Sequence, residues 1–228
     1  MARNEGRELA VVLTSGGLDS CVCVAEASRS YDLALLHLNY GQRTQARELR
    51  AFGEIADHHD VPAARRLVSD LDHLRVIGGS SLVDMSQDIE TGYPDTTRIP
   101  STYVPFRNAH ILCLAVSWAE VIGARAVFIG AVEEDSSGYP DCRASFYRAF
   151  QQAVDEGTKP DTRIVIETPL IALDKAAIVR RGLELGAPLE LTWSCYQRED
   201  LACGVCESCR LRLRGFAAAG VDDPVGYA

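Results

Sequence analysis

Lysine is almost missing from this chain: only two of its 23 cationic side chains, Lys159 and Lys175, are lysines. Cations as a whole are outnumbered, and 32 acidic residues leave a formal net charge of −9. That balance excludes a broad nucleic-acid-binding surface as the main function, so no nucleic-acid partner is expected. Long apolar runs are missing too. Stretches such as Ile111–Val116 fall far short of the roughly 20 residues a membrane helix needs. The mixed-charge stretch up to Glu8 has no signal-peptide pattern, and a cytoplasmic location without a membrane partner is expected. No sequence repeat is evident, since the two Gly-Tyr-Pro-Asp tetrads at Gly92 and Gly138 are too short to count. What remains is ordinary for a folded domain, 47% hydrophobic and 24% charged.

Short apolar runs alternate with helical patterns. Leu9–Leu13, Leu33–Leu38, Ala63–Val68, Ala126–Ile129 and Ile164–Glu167 read as strands. Between and after them, helices are expected over Leu18–Ala27, about Gln42 to His58, Asn108–Ile122, Ser145–Asp155, Lys175–Leu185 and Cys206–Ala219. Asp174 suits the N-cap of the Lys175 helix and Gly186 its end. The alternation predicts an α/β fold, a Rossmann-like parallel sheet with helices on both faces. Periodicity is lost from Gly78 to Pro105, which reads as a long loop of the kind often used as a lid. At 228 residues the chain suffices for one substantial core, residues 1–190, with a small appended module over 191–228.

Thr14-Ser15-Gly16-Gly17-Leu18-Asp19-Ser20 follows the first strand and opens the first helix. Glycines there let backbone N–H groups approach an anion, the helix N-terminus adds partial positive charge, and serine hydroxyls can donate to phosphate oxygens. Asp19 cannot serve phosphate directly, so it is assigned to Mg²⁺ or to holding the loop. No Gly-Lys-Ser/Thr follows, which excludes a Walker A loop, and Gly-x-Gly-x-x-Gly is absent. A Gly-Gly turn with a Ser/Asp cap would explain Ser-Gly-Gly alone, but not the whole string at a strand–helix junction.

Cysteine is concentrated. Cys195, Cys203, Cys206 and Cys209 lie close together, while Cys21, Cys23, Cys113 and Cys142 are scattered. Four clustered thiolates suit a closed structural Zn²⁺ site, with a redox pair or an iron–sulfur cluster as the other readings. Its expected task is to pin the C-terminal segment to the α/β domain. His37 lies inside an apolar strand and reads as a core residue.

The loop string resembles the PP-loop of the N-type ATP pyrophosphatases, which adenylate their substrates and include asparagine synthetase, GMP synthetase and several tRNA-thiolating enzymes. With the cysteine cluster in this order, the chain resembles the 7-cyano-7-deazaguanine synthase family from Leu9 to about Arg214. Supporting strings are Asn39 to Arg43, Ser101 to Asn108, Gly130 to Cys142, and Thr168-Pro169-Leu170 followed by Lys175. The resemblance implies conversion of 7-carboxy-7-deazaguanine and ammonia to the nitrile with ATP and Mg²⁺, and a homodimer. It implies ATP binding by Thr14 to Ser20, and charge neutralisation by Lys175 or Arg107. On the substrate side it implies Gln42, Arg43, Arg107 and Asn108.

Glu133, Asp135, Tyr139 and Asp141 follow a strand-like run, where a carboxylate could pair with the base and Tyr139 stack on it. Ordinary loop polarity explains them as well. The family usually has Gly at Phe106, His at Thr44 and Glu at Ala177, and the Phe106 ring beside Arg107 is expected to reshape the base pocket. A relative that stops at the amide or uses another amine, a tRNA-thiolating enzyme, and a non-catalytic nucleotide-binding scaffold are the competing readings.

Overall fold

The structure is a computed structural model that describes residues 6–91, 98–133 and 138–228. Its centre is a five-stranded, all-parallel sheet in the order β3-β2-β1-β4-β5. The strands are β1 (Leu9–Leu13), β2 (Asp32–Asn39), β3 (Arg66–Asp70), β4 (Ala126–Ile129) and β5 (Val165–Glu167). The helices are α1 (Leu18–Ser28), α2 (Gln45–His58), α3 (Asp72–Ile77), α4 (Arg107–Ile122), α5 (Ala144–Gly157), α6 (Lys175–Leu185) and α7 (Glu207–Ala219).

Apolar runs became strands in the middle of the sheet because both faces there are covered. Along β1, Ala10 and Val12 point into one core with Val22 of α1, Ile55 of α2 and Ile178 of α6. Val11 and Leu13 point into the other, with Leu112 and Ala115 of α4 and Tyr147 of α5. Helices therefore lie on both faces, as the alternation predicts.

The third strand starts later than expected. Ala63–Arg65 is a 3₁₀ turn after Pro62, and pairing with β2 begins at Arg66. This edge strand is half exposed, so its sequence carries no clean apolar signal. Helix α3 lies in a stretch whose sequence predicts no element, and α2 begins at Gln45 because Gln42 is occupied in the preceding turn. Strand order reverses between β1 and β4. That is the crevice in which open α/β sheets bind ligands, at the carboxyl ends of the strands.

Candidate active site

A cavity of about 310 Å³ opens at this crevice. Its floor is the end of β1 and the loop to α1. Gly16 has φ +89°, and a Cβ there would stand 2.6 Å from the Glu48 carbonyl oxygen, so the loop can press onto α2 only with glycine. The Ser15 hydroxyl accepts from the Gly17 N–H at 3.2 Å and donates to Ser20 Oγ at 3.2 Å. Ser20 Oγ donates to the Gly17 carbonyl at 2.9 Å. Gly17 caps α1 with no side-chain bond, which leaves the helix start facing the cavity as an anion-binding terminus. Thr14, Ser15, Gly17, Leu18, Asp19 and Ser20 all line the space, while Gly16 backs the loop.

Lys175 reaches this floor from the start of α6. Its Nζ lies 2.8 Å from both Asp19 oxygens. Asp174 caps the helix by accepting from the Ala177 N–H at 2.6 Å. Because that donor is backbone, alanine at 177 does not disturb the cap. The lysine stem crosses α7 at Gly215, where a Cβ would meet Lys175 Cγ at 2.5 Å. The helix following the cysteine cluster thus shapes the path of the Lys175 side chain.

Arg107 faces the floor from the first turn of α4. Its Nη1 donates to Tyr40 Oη at 3.1 Å, and Tyr40, Tyr139 and Tyr196 line the same region. Burial raises all three phenols above their usual range, so they remain neutral donors with flat apolar faces. Asn108 touches the cavity, but its side chain braces the wall. Its Nδ2 donates to the Asp141 carbonyl at 3.0 Å, and its N–H donates to Asp141 Oδ2 at 2.9 Å.

Several expected substrate contacts are spent elsewhere. Asp141 caps α4 and does not line the cavity. Arg43 donates to the carbonyls of Ser81 and Asp84, both at 3.0 Å, and of Gln87, fastening that segment outside the cavity. Gln42 is buried in the turn it supports, accepting from the Tyr40 N–H at 2.8 Å. Glu133 accepts from the Ala144 N–H at 3.1 Å at the start of α5. Asp135 lies outside the described residues. Phe106, expected to reshape the base pocket, is 58% exposed, meets Phe146 and His110 edge-on, and does not line the cavity. The oddity is in its backbone, at φ +58° and ψ +23°. A left-handed residue explains why glycine suits this position.

Groups that no local pattern marked complete the walls. Glu48 comes from α2, and Trp193, Ser194, Ser208 and Leu211 come from the region around the cysteines. The Trp193 N–H donates to the Gly16 carbonyl at 2.8 Å, tying that region to the loop. His37 is a core residue, with Nδ1 3.0 Å from the Thr14 carbonyl. Burial lowers its pKa.

The sulfurs of Cys195, Cys203, Cys206 and Cys209 all lie within 4.8 Å of one another, and those of Cys203 and Cys209 are 3.9 Å apart. Four sulfurs at about 2.3 Å from one centre would stand about 3.8 Å apart, so the set fits a tetrahedral metal. Backbone N–H groups of Gln197, Cys203 and Cys206 point at these sulfurs from 3.3 to 3.4 Å. Bonds from the Cys206 and Cys209 thiols hold the Cys195 thiol below its usual range, and the same sharing raises Cys206 and Cys209.

The profile of the family described as "Queuosine biosynthesis protein QueC" matches residues 9–220. The chain belongs to the QueC family. It is 56% identical over 219 residues to the 7-cyano-7-deazaguanine synthase of Chloroherpeton thalassium, covering 96% of each chain. It is 58% identical over 219 residues to that of Chlorobium phaeobacteroides strain DSM 266, again covering 96% of each. With the relative from Acidobacterium capsulatum the identity is 55% over 226 residues, or 97% of both. Among solved structures, the U34-tRNA thiolase NcsA from Methanococcus maripaludis, with its [4Fe-4S] cluster, matches with a TM-score of 0.51 at 12% identity. That match covers 82% of this chain and 60% of the thiolase. At this distance the likeness is one of fold. For a QueC family member, the loop, Lys175 and Arg107 thus share one cavity, and the four cysteines stand behind one wall of it.

Proposed function

We propose that this cavity converts 7-carboxy-7-deazaguanine and ammonia to 7-cyano-7-deazaguanine, using ATP, through an adenylated carboxylate and an amide. Family membership carries the reading, because relatives 55–58% identical over 96–97% of their length bear the name of that synthase. The enzyme class is then a ligase forming carbon–nitrogen bonds.

A carboxylate resists nucleophiles because its charge repels them and oxide leaves poorly. Transfer of AMP removes the charge and installs a leaving group, which ammonia displaces to give the amide. Activating the amide oxygen again and expelling it gives the nitrile. Such steps need alignment and charge stabilisation more than covalent help. In this reading the loop from Thr14 to Ser20 holds the pyrophosphate side. Lys175 is shared between Asp19 and the phosphates, and Asp19 is the acidic group able to hold a nucleotide-borne Mg²⁺. Arg107, which cannot deprotonate, orients the substrate carboxylate. Tyr40, Tyr139 and Tyr196 supply flat surfaces for the bicyclic base.

The four cysteines would hold Zn²⁺ in a closed structural site that stiffens the cavity wall carrying Trp193 and Ser208. Family membership also underlies the expectation of a homodimer in the cytoplasm. Among the described residues no helix is long and apolar enough to cross a membrane.

The test incubates pure protein with ATP, Mg²⁺, an ammonium salt and 7-carboxy-7-deazaguanine and reads products by mass spectrometry. Nitrile, AMP and pyrophosphate are expected, with Lys175→Met at least about 100-fold slower. Amide as the only product would move the end point, and no substrate-dependent AMP release would refute the assignment.

A further inference from the structure

The chemistry proposed above leaves one requirement unmet. A nitrile nitrogen carries no hydrogen, so every N–H proton of ammonia must leave before product forms. Some group in a desolvated site has to take those protons. The titratable side chains lining the cavity, among the described residues, narrow the choice quickly. No histidine is among them. Asp19 and Lys175 are spent on each other, with the lysine Nζ 2.8 Å from both Asp19 oxygens. Burial pushes the Cys142 thiol up to about 11, and the tyrosine hydroxyls are raised by burial too, so none is a base at neutral pH. Arg107 and Arg212 have no acceptor to offer.

Glu48 remains. It sits in the first turn of α2 and lines the cavity. Two neutral donors aim it, the Thr44 hydroxyl at 2.9 Å on Oε1 and Gln42 Nε2 at 3.2 Å on Oε2. Thr44 Oγ1 also lies 3.2 Å from the Cys195 carbonyl, so its single proton is shared between that oxygen and Glu48. This carboxylate is oriented by uncharged groups, unlike Asp19, whose charge a cation neutralises. We propose that Glu48 is the proton acceptor for the ammonia nucleophile. This rests on the function proposed above.

In the first displacement the ammonia nitrogen forms a bond to the acyl carbon of the adenylate. One N–H proton passes to a Glu48 oxygen. The bond from the acyl carbon to the bridging oxygen breaks, and its electron pair leaves on AMP. The protonated Glu48 then gives its proton to water, restoring the carboxylate. Atoms and charge balance with no further reactant.

The electrostatics suit the task. Burial drives the Glu48 carboxyl up to about 7, against bonds from Thr44 and Gln42 and the charge of Arg107 that pull it down, while Glu199 pushes it up. The neighbouring ionisable groups are Arg107 on α4, with Tyr40 bonded to it, and Glu199 in the segment beyond the sheet. The Lys175–Asp19 pair lies on the loop side. A base whose pKa is near neutrality is the efficient one at physiological pH.

Glu48→Gln separates proton transfer from assembly of the site, because the amide can accept from Gln42 and donate to Thr44 in the same geometry. Pyrophosphate exchange into ATP, driven by 7-carboxy-7-deazaguanine without ammonia, should stay within about threefold of wild type. Amide formation should fall by roughly 10² to 10⁴-fold. With free ammonia held constant at each pH, wild-type kcat/KM should rise through about 7, and the variant should lack that limb. Glu48→Asp should keep the limb at reduced rate. Amide formation at wild-type rate in Glu48→Gln, or equal loss of exchange and amide formation, would overturn the role. Absence of exchange in the wild-type enzyme would instead overturn the function beneath it.

Discussion

Replacing Gly130 with alanine tests whether the sheet and the phosphate loop are in contact as described. Gly130 follows β4 and faces the first turn of α1. A Cβ there would lie 2.8 Å from the Asp19 carbonyl oxygen, 2.9 Å from the Asp19 carbonyl carbon and 3.1 Å from the Ser20 nitrogen. Ordinary contact begins near 3.4 Å, so the methyl group intrudes by about 0.6 Å on backbone that no rotamer change can move. Either α1 shifts outward or β4 retreats from β1, and each response costs about 1–3 kcal/mol. The shift falls on the residues that carry the proposed pyrophosphate contacts, and displacements approaching 1 Å cost about 100-fold in rate. Urea unfolding should show a lower midpoint with an unchanged slope. The KM for ATP should rise and kcat fall by about tenfold or more, while far-UV circular dichroism is unaltered. A variant as stable as the parent, with the same KM for ATP, would refute this packing.

Asp223 is bound to Arg212 through both oxygens at 2.8 and 2.9 Å, in a pair only 3–4% exposed. Removing one partner strands a buried charge, so Asp223→Ala should lose about 3–5 kcal/mol in urea unfolding, and a loss under 1 would contradict the burial. Elemental analysis should find one Zn per chain, and a chelator should lower the melting temperature together with activity; a metal content near zero would dispose of the four-thiolate site. Phe106→Gly relieves about 1–2 kcal/mol of left-handed strain but loosens the unfolded chain by 0.5–1, so stability should change by no more than about 1 kcal/mol. The product of that variant should be the same, whereas a changed product would mean the ring does shape the pocket. Glu48 holds its proton in the folded chain from an ordinary 4.5 up to about 7. The native state therefore binds more protons than the unfolded one in that window, and stability should fall as pH rises through it, by at most about 3 kcal/mol. Glu48→Gln should flatten that dependence.

The local signals of this protein were readable from the chain. β1, β2 and β4 announced themselves because strands covered on both faces must be apolar at every position. The loop from Thr14 to Ser20 was legible because its glycines, hydroxyls and helix start act within a few residues of one another. So was the spacing of the cysteines, since one tetrahedral centre demands it. At the sheet edge, β3 was displaced by three residues from its expected start, because a half-exposed strand has no uniform pattern to display.

Which polar side chains face the cavity was decided only by the tertiary structure. Glu133, Asp141, Arg43 and Gln42 had the right chemistry and nearby sequence positions, yet each is held by backbone or neighbouring groups and none lines the cavity. Nothing in the residues around Glu48 sets it apart from other acidic helix residues. It lines the cavity because the loop presses against α2 at Gly16, and Thr44 and Gln42 hold its carboxylate. Trp193 and Ser208 arrived with the cysteine-bearing segment, through a backbone bond to Gly16 that no periodicity encodes. Sequence determined which elements form and where an anion can dock, because those depend on neighbours along the chain. The orientation of the remaining side chains depends on what packs behind them, and that was settled only when distant segments met.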